Sequence, residues 1–581
     1  MRARPAVALL VALAVLFTAC QGEATDEDAG REPGGVPTLE EGAGRDGEGG
    51  DLSTPRAPGR DTDGDTASPD VDADDRSADD PDAGAPARET AATEPPPPPP
   101  PGRDDLVEEA TALLDAAREQ AGDDVLAVHV VDEHNRAIVS HRPDDAVLPA
   151  STLKIVTAAA ALTTFGPDAV FRTRVEVTAP VEGDGGVAGD LVLVGSGDPV
   201  LATEEYARWV YPARPRTPLE DLADAVVEAG VRRVDGDVVG IADRFDGPRV
   251  ADGWPDRYFS GFDARYADGL TVDAGLRTLV TYPEPEDDDA DDADDADDAE
   301  LEEGETDADP ADADDADDAD DVEDTPAADV DPEVRVDHAP HPAAHATDEF
   351  ARLLAERGVE VGGEVHTDGV DAPTVGRLAS VDSPPMRDLL RFALRRSDNQ
   401  ITDALFRAVG RARTGVGSFT SGERALVQVL DHLGVDAEAA RFADGSGLSR
   451  DDRVTARLLV DVDLAMHAGR HRALWRSLMA APGEPGTLER RLTDGVASGR
   501  FAGKTGTLRD VISIVGTVTG DNGHRYHLAV LAHDPGGARW VGRVLADELI
   551  TLLAAEGAGC RARIGDGNAG ALGIAPLSVA C

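Results

Sequence analysis

The feature of this sequence that most constrains its fold is the concentration of negative charge in two segments. The 581 residues have a formal net charge of −61, and residues 284–331 alone contain 28 acidic residues and no basic residue. Residues 21–104 are rich in Gly, Pro, Asp and Ser and include the proline run 95–101. Neither segment has enough large apolar side chains to form a packed core. We therefore predict a disordered tether at 21–104, a disordered acidic loop at 284–331, and two or three folded units in the remaining chain.

The N-terminus has the pattern of a secretory signal. Arg2 and Arg4 precede an apolar run at 6–17 that is too short to span a bilayer, and small residues follow it. The stretch LFTAC resembles a bacterial lipobox, in which Cys20 would carry lipid and become the first residue of the mature chain. We predict that residues 1–20 are a lipoprotein signal peptide and that the folded part lies outside the cell membrane. The alternative, that Cys20 is removed inside an ordinary signal peptide, stays open.

The remaining cysteines lie near the C-terminus. Cys560 and Cys581 flank a tail at 561–581 that is rich in Gly and Ala. Because an exported chain can form disulfides, we predict that these two cysteines pair. Two cysteines offer too few ligands for a metal site.

The other candidate metal ligands are weak. His338, His341 and His345 lie in a stretch rich in Pro and Ala, which we interpret as a solvated loop. The aspartates of 284–331 lack the spaced ligands and the turn glycine of a calcium loop. Neither segment therefore predicts a metal site.

Hydrophobic periodicity divides the rest of the chain into helical and strand-rich parts. Residues 104–122 have the apolar spacing of a helix, and 124–143 have the pattern of two strands joined by a turn. Residues 171–375 are rich in alternating Val and Gly and resemble an inserted β-rich region. Helical patterning returns from 383 to about 480. Two β-branched runs around Gly520–Gly523 predict a hairpin, which is followed by a closing amphipathic helix.

Only two of the 54 Lys and Arg residues are lysines, Lys154 and Lys504. Unlike Arg, a lysine can lose its proton when it is buried or lies near another cation. Lys154 follows Ser151 by three positions, so in a helix the hydroxyl and the amine lie on one face. The apolar sequence 155–165 predicts a buried helix with this pair at its N-terminal end. Since burial lowers the pKa of a lysine, Lys154 is a candidate base for activating Ser151 as a nucleophile.

Two further short motifs contain residues suited to the same chemistry. Lys504, Thr505 and Gly506 stand at the head of the first strand of the predicted hairpin. There, Lys504 and Thr505 can hold a carboxylate, and the glycine leaves room for an extended peptide. Ser397 and Asn399 lie at a junction between helical stretches, where they can pass a proton and bind an amide. Each motif alone is weak, and Ser397 could equally cap the helix that follows.

In this order, S-x-x-K at Ser151, S-D-N at Ser397 and K-T-G at Lys504 resemble the motif set of penicillin-binding proteins and serine β-lactamases. Ser151 and Ser397 are 246 residues apart, which resembles the D-alanyl-D-alanine carboxypeptidase/endopeptidase family of class C low-molecular-mass penicillin-binding proteins. Three further stretches resemble this family: PASTLK at 149–154, GDLVLVGSGDP at 189–199 and DGSGLSRDDRVT at 444–455. We interpret the last as a turn near the site.

The resemblance implies an α+β fold like that of β-lactamases and penicillin-binding proteins. An antiparallel sheet flanked by helices would form the catalytic domain from residues 105–170 and 376–560. A large β-rich insertion at 171–375 would separate the first motif from the second and contain the acidic loop. Residues 561–581 would form a C-terminal tail.

The resemblance also implies a catalytic role for the first two motifs. Ser151 would be the acylated nucleophile and Lys154 its base. Ser397 and Asn399 would assist proton transfer and help to position the substrate. No metal and no cofactor are implied.

The third motif would bind the substrate through Lys504, Thr505, Gly506 and Thr507. Lys504 and Thr505 would bind the terminal carboxylate. The backbone N–H groups of Ser151 and Thr507 would form the oxyanion hole.

These roles imply an exported serine-type D-Ala-D-Ala carboxypeptidase that cleaves peptidoglycan stem peptides through an acyl-enzyme at Ser151. β-Lactam antibiotics would bind as inhibitors, a lipid anchor would provide the contact with the membrane, and no nucleic acid would be bound. A DD-endopeptidase activity on cross-links, a β-lactamase activity and a non-catalytic role in binding the cell wall stay open as alternatives. The sequence leaves the oligomeric state open. It lacks the G-x-S-x-G elbow of a Ser-His-Asp hydrolase.

Overall fold

The computed structural model describes residues 103–281, 332–367, 369–534, 536–557, 561–564 and 577–580. Cys20, Cys560 and Cys581 lie outside the described residues, as do residues 1–102 and the predicted acidic loop at 284–331. The signal peptide, the lipid anchor, the disulfide and the acidic loop therefore stay predictions. None of the helices in the described ranges is both long and apolar enough to cross a bilayer.

The described residues form twelve α-helices and nineteen strands. The helices are α1 Arg103–Ala121, α2 Lys154–Phe165, α3 Glu204–Trp209, α4 Leu219–Glu228, α5 Arg257–Ser260, α6 Pro342–Glu356, α7 Met386–Arg396, α8 Asn399–Thr414, α9 Phe419–Leu433, α10 Ala456–Ala468, α11 Arg472–Leu478 and α12 Arg539–Ala555. The strands are β1 Leu126–Asp132, β2 Ala137–His141, β3 Arg172–Val177, β4 Gly186–Val187, β5 Leu191–Val194, β6 Leu201–Ala202, β7 Thr217–Pro218, β8 Arg233–Val234, β9 Val238–Ile241, β10 Leu276–Thr281, β11 Glu333–His338, β12 Glu360–Val361, β13 Val365–His366, β14 Gly376–Asp382, β15 Phe501–Leu508, β16 Val511–Thr519, β17 Arg525–His533, β18 Arg561–Ile564 and β19 Leu577–Ala580. Two short 3₁₀ helices lie at Ala150–Leu153 and Asp273–Gly275.

An antiparallel sheet with the order β15–β16–β17–β1–β2 forms the centre of the part of the molecule that contains all three predicted motifs. Side chains alternate across a strand, so on β17 Leu528 and Val530 join the apolar core beneath α1 and α12. Ala529 and Leu531 join the core on the opposite face, which includes α2 and α10. Because both faces are covered, β16 and β17 have continuous apolar sequences rather than an alternating pattern.

Helix α2 lies inside the second of these cores. Residues 154–162 are all buried, and the neighbouring side chains come from α7, α8, α9 and α10. A helix that is apolar on all sides is stable only when it is covered on all sides. The packing therefore fixes the position of the N-terminal end of α2, where Lys154 lies.

Residues 172–382, which we call the middle region, form sheets of their own. One sheet has the order β13–β9–β5–β3–β14, and helices α4 and α6 pack on it in a separate apolar core. Strand β14 begins at Gly376 and pairs with β3, so this sheet continues to Asp382. The chain leaves the part built around the first sheet after α2 and returns to it at α7, and both helices contribute to one core.

Two predictions about local structure are wrong. A turn at 509–510 divides the first run of the predicted hairpin into β15 and β16, so Lys504 lies on an additional strand at the edge of the sheet. The histidine stretch is not a loop, because His338 ends β11 and His345 is buried on α6. The first prediction failed because the Arg509-Asp510 turn between β15 and β16 lacks the Gly, Asn or Pro that would reveal it. The second prediction failed because Pro342 occupies the first position of α6, where proline begins a helix rather than preventing one.

Candidate active site

Ser151 lies on the 3₁₀ helix that immediately precedes α2. Ala150 has a φ of 49°, a left-handed conformation that costs a non-glycine residue about 1 kcal/mol or more. Neighbouring groups hold this turn in place: Ser513 Oγ donates to the Pro149 carbonyl at 2.6 Å. A Cβ atom on Gly447 would lie 1.9 Å from the Ala150 carbonyl oxygen, so only glycine fits there. The nucleophile candidate is thus fixed between the sheet and the loop that contains Gly447.

Lys154 is fully buried and its amine contacts three oxygen atoms. Nζ donates to Ser151 Oγ at 2.9 Å, to Asn399 Oδ1 at 2.7 Å and to the Ser446 carbonyl oxygen at 2.6 Å. Burial lowers the pKa of Lys154 to about 8, although nearby carboxylates, Asp403 foremost, oppose the decrease. Part of the Lys154 population is therefore neutral near pH 8 and can accept the Ser151 proton.

The S-D-N segment forms the junction between α7 and α8. Ser397 adopts the left-handed conformation, with φ 62° and ψ 37°. Asp398 caps α8 by accepting a hydrogen bond at 2.9 Å from a backbone N–H of the first turn, so the alternative that Ser397 is the cap is wrong. Asn399 Oδ1 accepts from Lys154, while Nδ2 donates to the Asp263 carbonyl at 2.9 Å. The middle region thus contacts the motif through a backbone group.

Lys504 joins the third motif to the second. It is fully buried on β15, and Nζ donates to Ser397 Oγ at 3.0 Å and to the Thr505 carbonyl at 2.6 Å. Burial, reinforced by the charge of Lys154, holds the pKa of Lys504 well below its usual range. Lys504 therefore releases its proton readily unless an anion binds beside it.

The rest of the K-T-G strand lies against the Ser151 turn. A Cβ atom on Gly506 would lie 2.2 Å from Ser513 Oγ and 2.9 Å from the Ser151 backbone nitrogen. Thr505 is half-buried and Thr507 is exposed. Because β15 is an edge strand, it offers backbone groups with which an extended peptide can pair.

A cluster of buried aspartates supports the loop behind Lys154. Asp444 accepts hydrogen bonds from four N–H groups: Trp254 Nε1 at 2.7 Å, Ser446 N at 2.8 Å, Gly447 N at 2.6 Å and Ser449 N at 2.8 Å. Burial raises the pKa of Asp403 and Asp452 well above the usual range, and the neighbouring Asp444 adds to both increases. These bonds fix the loop so that the Ser446 carbonyl contacts Lys154. The sequence identified DGSGLS as a turn, but it gave no signal for this backbone contact.

A cavity of about 230 Å³ adjoins the S-D-N segment. Ser397 and Asn399 line one side of it. Aromatic side chains of the middle region line it as well: Tyr206, Trp209, Tyr211 and Phe262. The site is therefore bounded by both parts of the molecule.

Asp463, His467 and His527 form a group whose ligand atoms lie within 4.8 Å of one another and could hold a metal ion. The carboxylate already has hydrogen-bond partners: His527 Nδ1 lies 2.7 Å from Oδ2, Thr517 Oγ1 donates to Oδ2 at 2.6 Å, and Trp475 Nε1 donates to Oδ1 at 2.8 Å. A ring nitrogen that donates a proton to a carboxylate cannot also bind a metal. The Asp463 carboxylate and one ring nitrogen of His527 are thus engaged in hydrogen bonds that connect α10 with β16 and β17.

The structure brings the residues of all three predicted motifs together. The Lys154 amine contacts Ser151 and Asn399, and the Lys504 amine contacts Ser397. A hydroxyl beside a partly neutral amine, with a second amine nearby, is an arrangement suited to nucleophilic acyl transfer.

Comparisons with known proteins identify a family and several relatives of this chain. A family model described as the D-Ala-D-Ala carboxypeptidase 3 (S13) family matches residues 110–541. A D-alanyl-D-alanine carboxypeptidase of Actinomadura sp. (strain R39) is 31% identical over 444 residues, which cover 72% of this chain and 79% of the relative. Carboxypeptidase DacB of Mycolicibacterium smegmatis is 28% identical over 425 residues, which cover 71% and 76%.

The fold is also similar to that of a solved structure. The crystal structure of penicillin binding protein 4 (dacB) from Haemophilus influenzae matches with a TM-score of 0.59 at 20% identity, covering 75% of this chain and 99% of that one. The same protein complexed with a β-lactam matches with a TM-score of 0.53 at 19% identity, covering 75% and 99%. The predicted α+β fold of the penicillin-binding-protein type is thus confirmed.

Proposed function

The chain belongs to the D-Ala-D-Ala carboxypeptidase 3 (S13) family of serine peptidases, and on that premise we propose that Ser151 is the nucleophile with which it cleaves D-Ala-D-Ala termini of peptidoglycan stem peptides. The observation that carries this proposal is the pair of buried amines. Lys154 contacts Ser151 Oγ at 2.9 Å and Asn399 Oδ1 at 2.7 Å, and Lys504 contacts Ser397 Oγ at 3.0 Å.

In the acylation step, Ser151 Oγ attacks the carbonyl carbon of the penultimate D-Ala, and neutral Lys154 takes the hydroxyl proton. The backbone N–H groups of Ser151 and Thr507 would stabilise the oxyanion of the tetrahedral intermediate. When the C–N bond breaks, the leaving D-Ala amine receives the proton from the Lys154 ammonium, with Ser397 and Asn399 assisting. Water then attacks the Ser151 ester, and a stem peptide shortened by one D-Ala leaves while Ser151 recovers its proton.

Lys504, Thr505 and Gly506 would bind the end of the substrate. The free terminal carboxylate supplies an anion beside Lys504, which offsets the effect of burial and of the Lys154 charge on its pKa. Substrate binding would therefore be accompanied by protonation of Lys504. Thr505 would donate a hydrogen bond to the same carboxylate, and Gly506 lets the peptide approach β15.

β-Lactams would be inhibitors because their strained amide is attacked by the same serine and leaves a slowly hydrolysed ester. One of the solved structures with a similar fold holds a β-lactam. Acylation by penicillin is therefore the most direct measure of the proposed nucleophile.

The experiment combines covalent labelling with product analysis. Purified protein is incubated with a fluorescent penicillin, and separately with a stem pentapeptide that ends in D-Ala-D-Ala. We expect one label per chain at Ser151, no label on Ser151→Ala, and release of one D-Ala per peptide. A folded protein that takes up no penicillin and releases no D-Ala would disprove the proposal. Rapid loss of the penicillin label, in well under a second, would instead support a β-lactamase.

We also propose how the chain is arranged around this site. Residues 105–171 and 383–560 would form the catalytic domain. The insertion would be the middle region, which ends at 382 rather than at the predicted 375 because β14 pairs with β3. Residues 1–20 would be a signal peptide, with Cys20 lipidated and 21–104 serving as a tether that holds the enzyme near peptidoglycan. Cys20→Ala should release the protein from the membrane fraction, and unchanged fractionation would contradict the anchor.

A further inference from the structure

The S-D-N turn is held by an arginine of the middle region. Arg214 Nε donates to Asp398 Oδ2 at 3.1 Å, and Nη2 donates to Gln400 Oε1 at 3.0 Å. The side chains of Arg214 and Asp398 are only 2% and 6% exposed. One guanidinium group therefore binds the residues on both sides of Asn399.

This turn needs support from its surroundings because its backbone is strained. Ser397 has a positive φ of 62°, and a left-handed conformation costs a non-glycine residue about 1–2 kcal/mol. Such conformations persist where neighbouring contacts determine them. One Asp398 oxygen caps α8 and the other accepts from Arg214, so both oxygens of this side chain are fixed.

The two residues next to Asp398 are those that contact the buried lysines. Ser397 Oγ lies 3.0 Å from Lys504 Nζ, and Asn399 Oδ1 lies 2.7 Å from Lys154 Nζ. A rotation of the turn would lengthen both contacts. Displacements of about 1 Å can reduce a catalysed rate by about 100-fold.

Asp398 also acts electrostatically on the site. Burial raises the pKa of its carboxyl, but Arg214 and then Arg265 more than offset that effect, so the pKa lies below its usual range. The Asp398 charge in turn favours the charged form of Lys154. Removing Arg214 would leave the buried negative charge of Asp398 with less positive charge beside it, which would destabilise the folded protein.

We propose that Arg214 is a positioning residue for acyl transfer, which holds the S-D-N turn so that Ser397 and Asn399 reach the two lysines. The middle region thereby completes the active site from outside the three motifs. This inference rests on the proposed acylation of Ser151.

The test compares acylation rate constants for a fluorescent penicillin in three variants. Arg214→Met should slow acylation by about 100-fold. Arg214→Lys keeps the charge but cannot bind Asp398 and Gln400 with one planar fork, so we expect it to be about tenfold slower than the parent. Arg357→Met is the matched control: Arg357 also lies in the middle region, but it pairs with the exposed Asp224 at 2.5 Å. That variant should acylate within about twofold of the parent.

The pH profile of acylation separates positioning from a merely structural role. Titratable groups from several elements interact electrostatically with Lys154. Two belong to α8, where Asp398 is the cap and Asp403 lies within the helix, and two, Asp444 and Asp452, lie on the supporting loop. The others are Asp263 in the middle region and Lys504 on β15. Without the Arg214 cation the potential at Lys154 becomes more negative, so its pKa rises. The midpoint of the profile should then move above about 8 in Arg214→Met. It should return toward the parental position in Arg214→Met/Asp398→Asn, where the carboxylate charge is removed as well.

Folded Arg214→Met that acylates within about threefold of the parent, with an unchanged midpoint, would overturn the inference. If that variant does not fold, Arg214→Lys decides: a parental rate contradicts the inference, and a loss of about tenfold supports it. Failure of the parent protein to acylate would disprove the proposed function instead, so the two failures are distinguishable.

Discussion

The start of helix α2 and strand β15 each present a fully buried lysine, but the charges around the two lysines differ. Near Lys154, the carboxylates of Asp403 and Asp444 partly offset the effect of burial, and the pKa is about 8. On Lys504, burial and the charge of Lys154 act in the same direction, and the pKa is well below its usual range. The two lysines therefore differ in pKa, and so in how readily they release a proton, although they lie in one site.

The difference indicates how each lysine depends on its surroundings. The environment that sets the charge of Lys154 is supplied by the protein itself, so this amine can exchange a proton with Ser151 in every turnover. Lys504 lacks that compensation, and a bound carboxylate would supply it. We therefore expect replacement by arginine, which cannot release its proton, to have unequal effects at the two positions.

The largest expected effect is that of Lys154→Arg compared with Lys504→Arg. A guanidinium at 154 keeps the positive charge but cannot act as a base, and its wider fork would crowd the space in which the Lys154 amine contacts three oxygen atoms. Fluorescent-penicillin labelling of variants with parental melting curves should show a loss at 154 that exceeds the loss at 504 by at least about 100-fold. Equal losses would contradict the division of roles between the two lysines.

A pair of peptide substrates provides the control for Lys504. If this residue binds the terminal carboxylate, Lys504→Arg should raise the KM of a free-acid D-Ala-D-Ala peptide by about tenfold, the loss of part of a charged hydrogen bond. A C-terminally amidated peptide should be a poorer substrate of the parent, and the same substitution should barely change its KM.

A somewhat smaller loss of acylation rate should follow from disturbing the contact between β15 and the Ser151 turn at the start of α2. In Gly506→Ala the added methyl group would meet Ser513 Oγ at 2.2 Å and the Ser151 nitrogen at 2.9 Å. Because β15 must then move away from the Ser151 turn, we expect acylation to slow by up to about 100-fold and stability to fall by about 1–3 kcal/mol. The control is Gly376→Ala, since a Cβ at that glycine meets nothing within 4 Å. Parental acylation by Gly506→Ala would show that the close contact is unimportant.

The pH dependence of the parent protein tests the same role of Lys154 without a substitution, in steps of about tenfold. The pKa of Lys154 is lowered to about 8, so its neutral fraction, and with it the acylation rate, should fall about tenfold for each pH unit below that value. The rate should level off above the pKa. Penicillin acylation measured between about pH 6 and 9.5 checks this prediction, and a flat profile would contradict Lys154 as the base.

Much of the fold could be predicted from the sequence because its signals are local. The apolar sequence of α2 predicts burial on all sides, and residues 154–162 are buried. The turn around Gly520–Gly523 predicts the β16–β17 hairpin, which the structure contains. The division between β15 and β16 was missed, since the only turn-favouring residue between the two strands is Asp510 and no Gly, Asn or Pro accompanies it.

The candidate site was predictable only where side-chain identity carries the chemistry. Ser151, Lys154 and Lys504 are recognisable because a hydroxyl and two rare amines stand in specific motifs. The carbonyl groups of Ser446 and Asp263, which contact Lys154 and Asn399, leave no signal because every residue has a carbonyl group.

The sequence by itself determined which residues are available for acyl transfer, in which order they occur, and that a buried helix presents the first pair. Only the tertiary structure decided how those residues are held and charged. Arg214 contacts Asp398 across 184 positions of sequence, and the pKa of each lysine depends on groups from distant parts of the chain. The physical reason is that motif spacing reflects local backbone geometry, whereas burial and electrostatic interactions depend on distances in space that the fold alone sets.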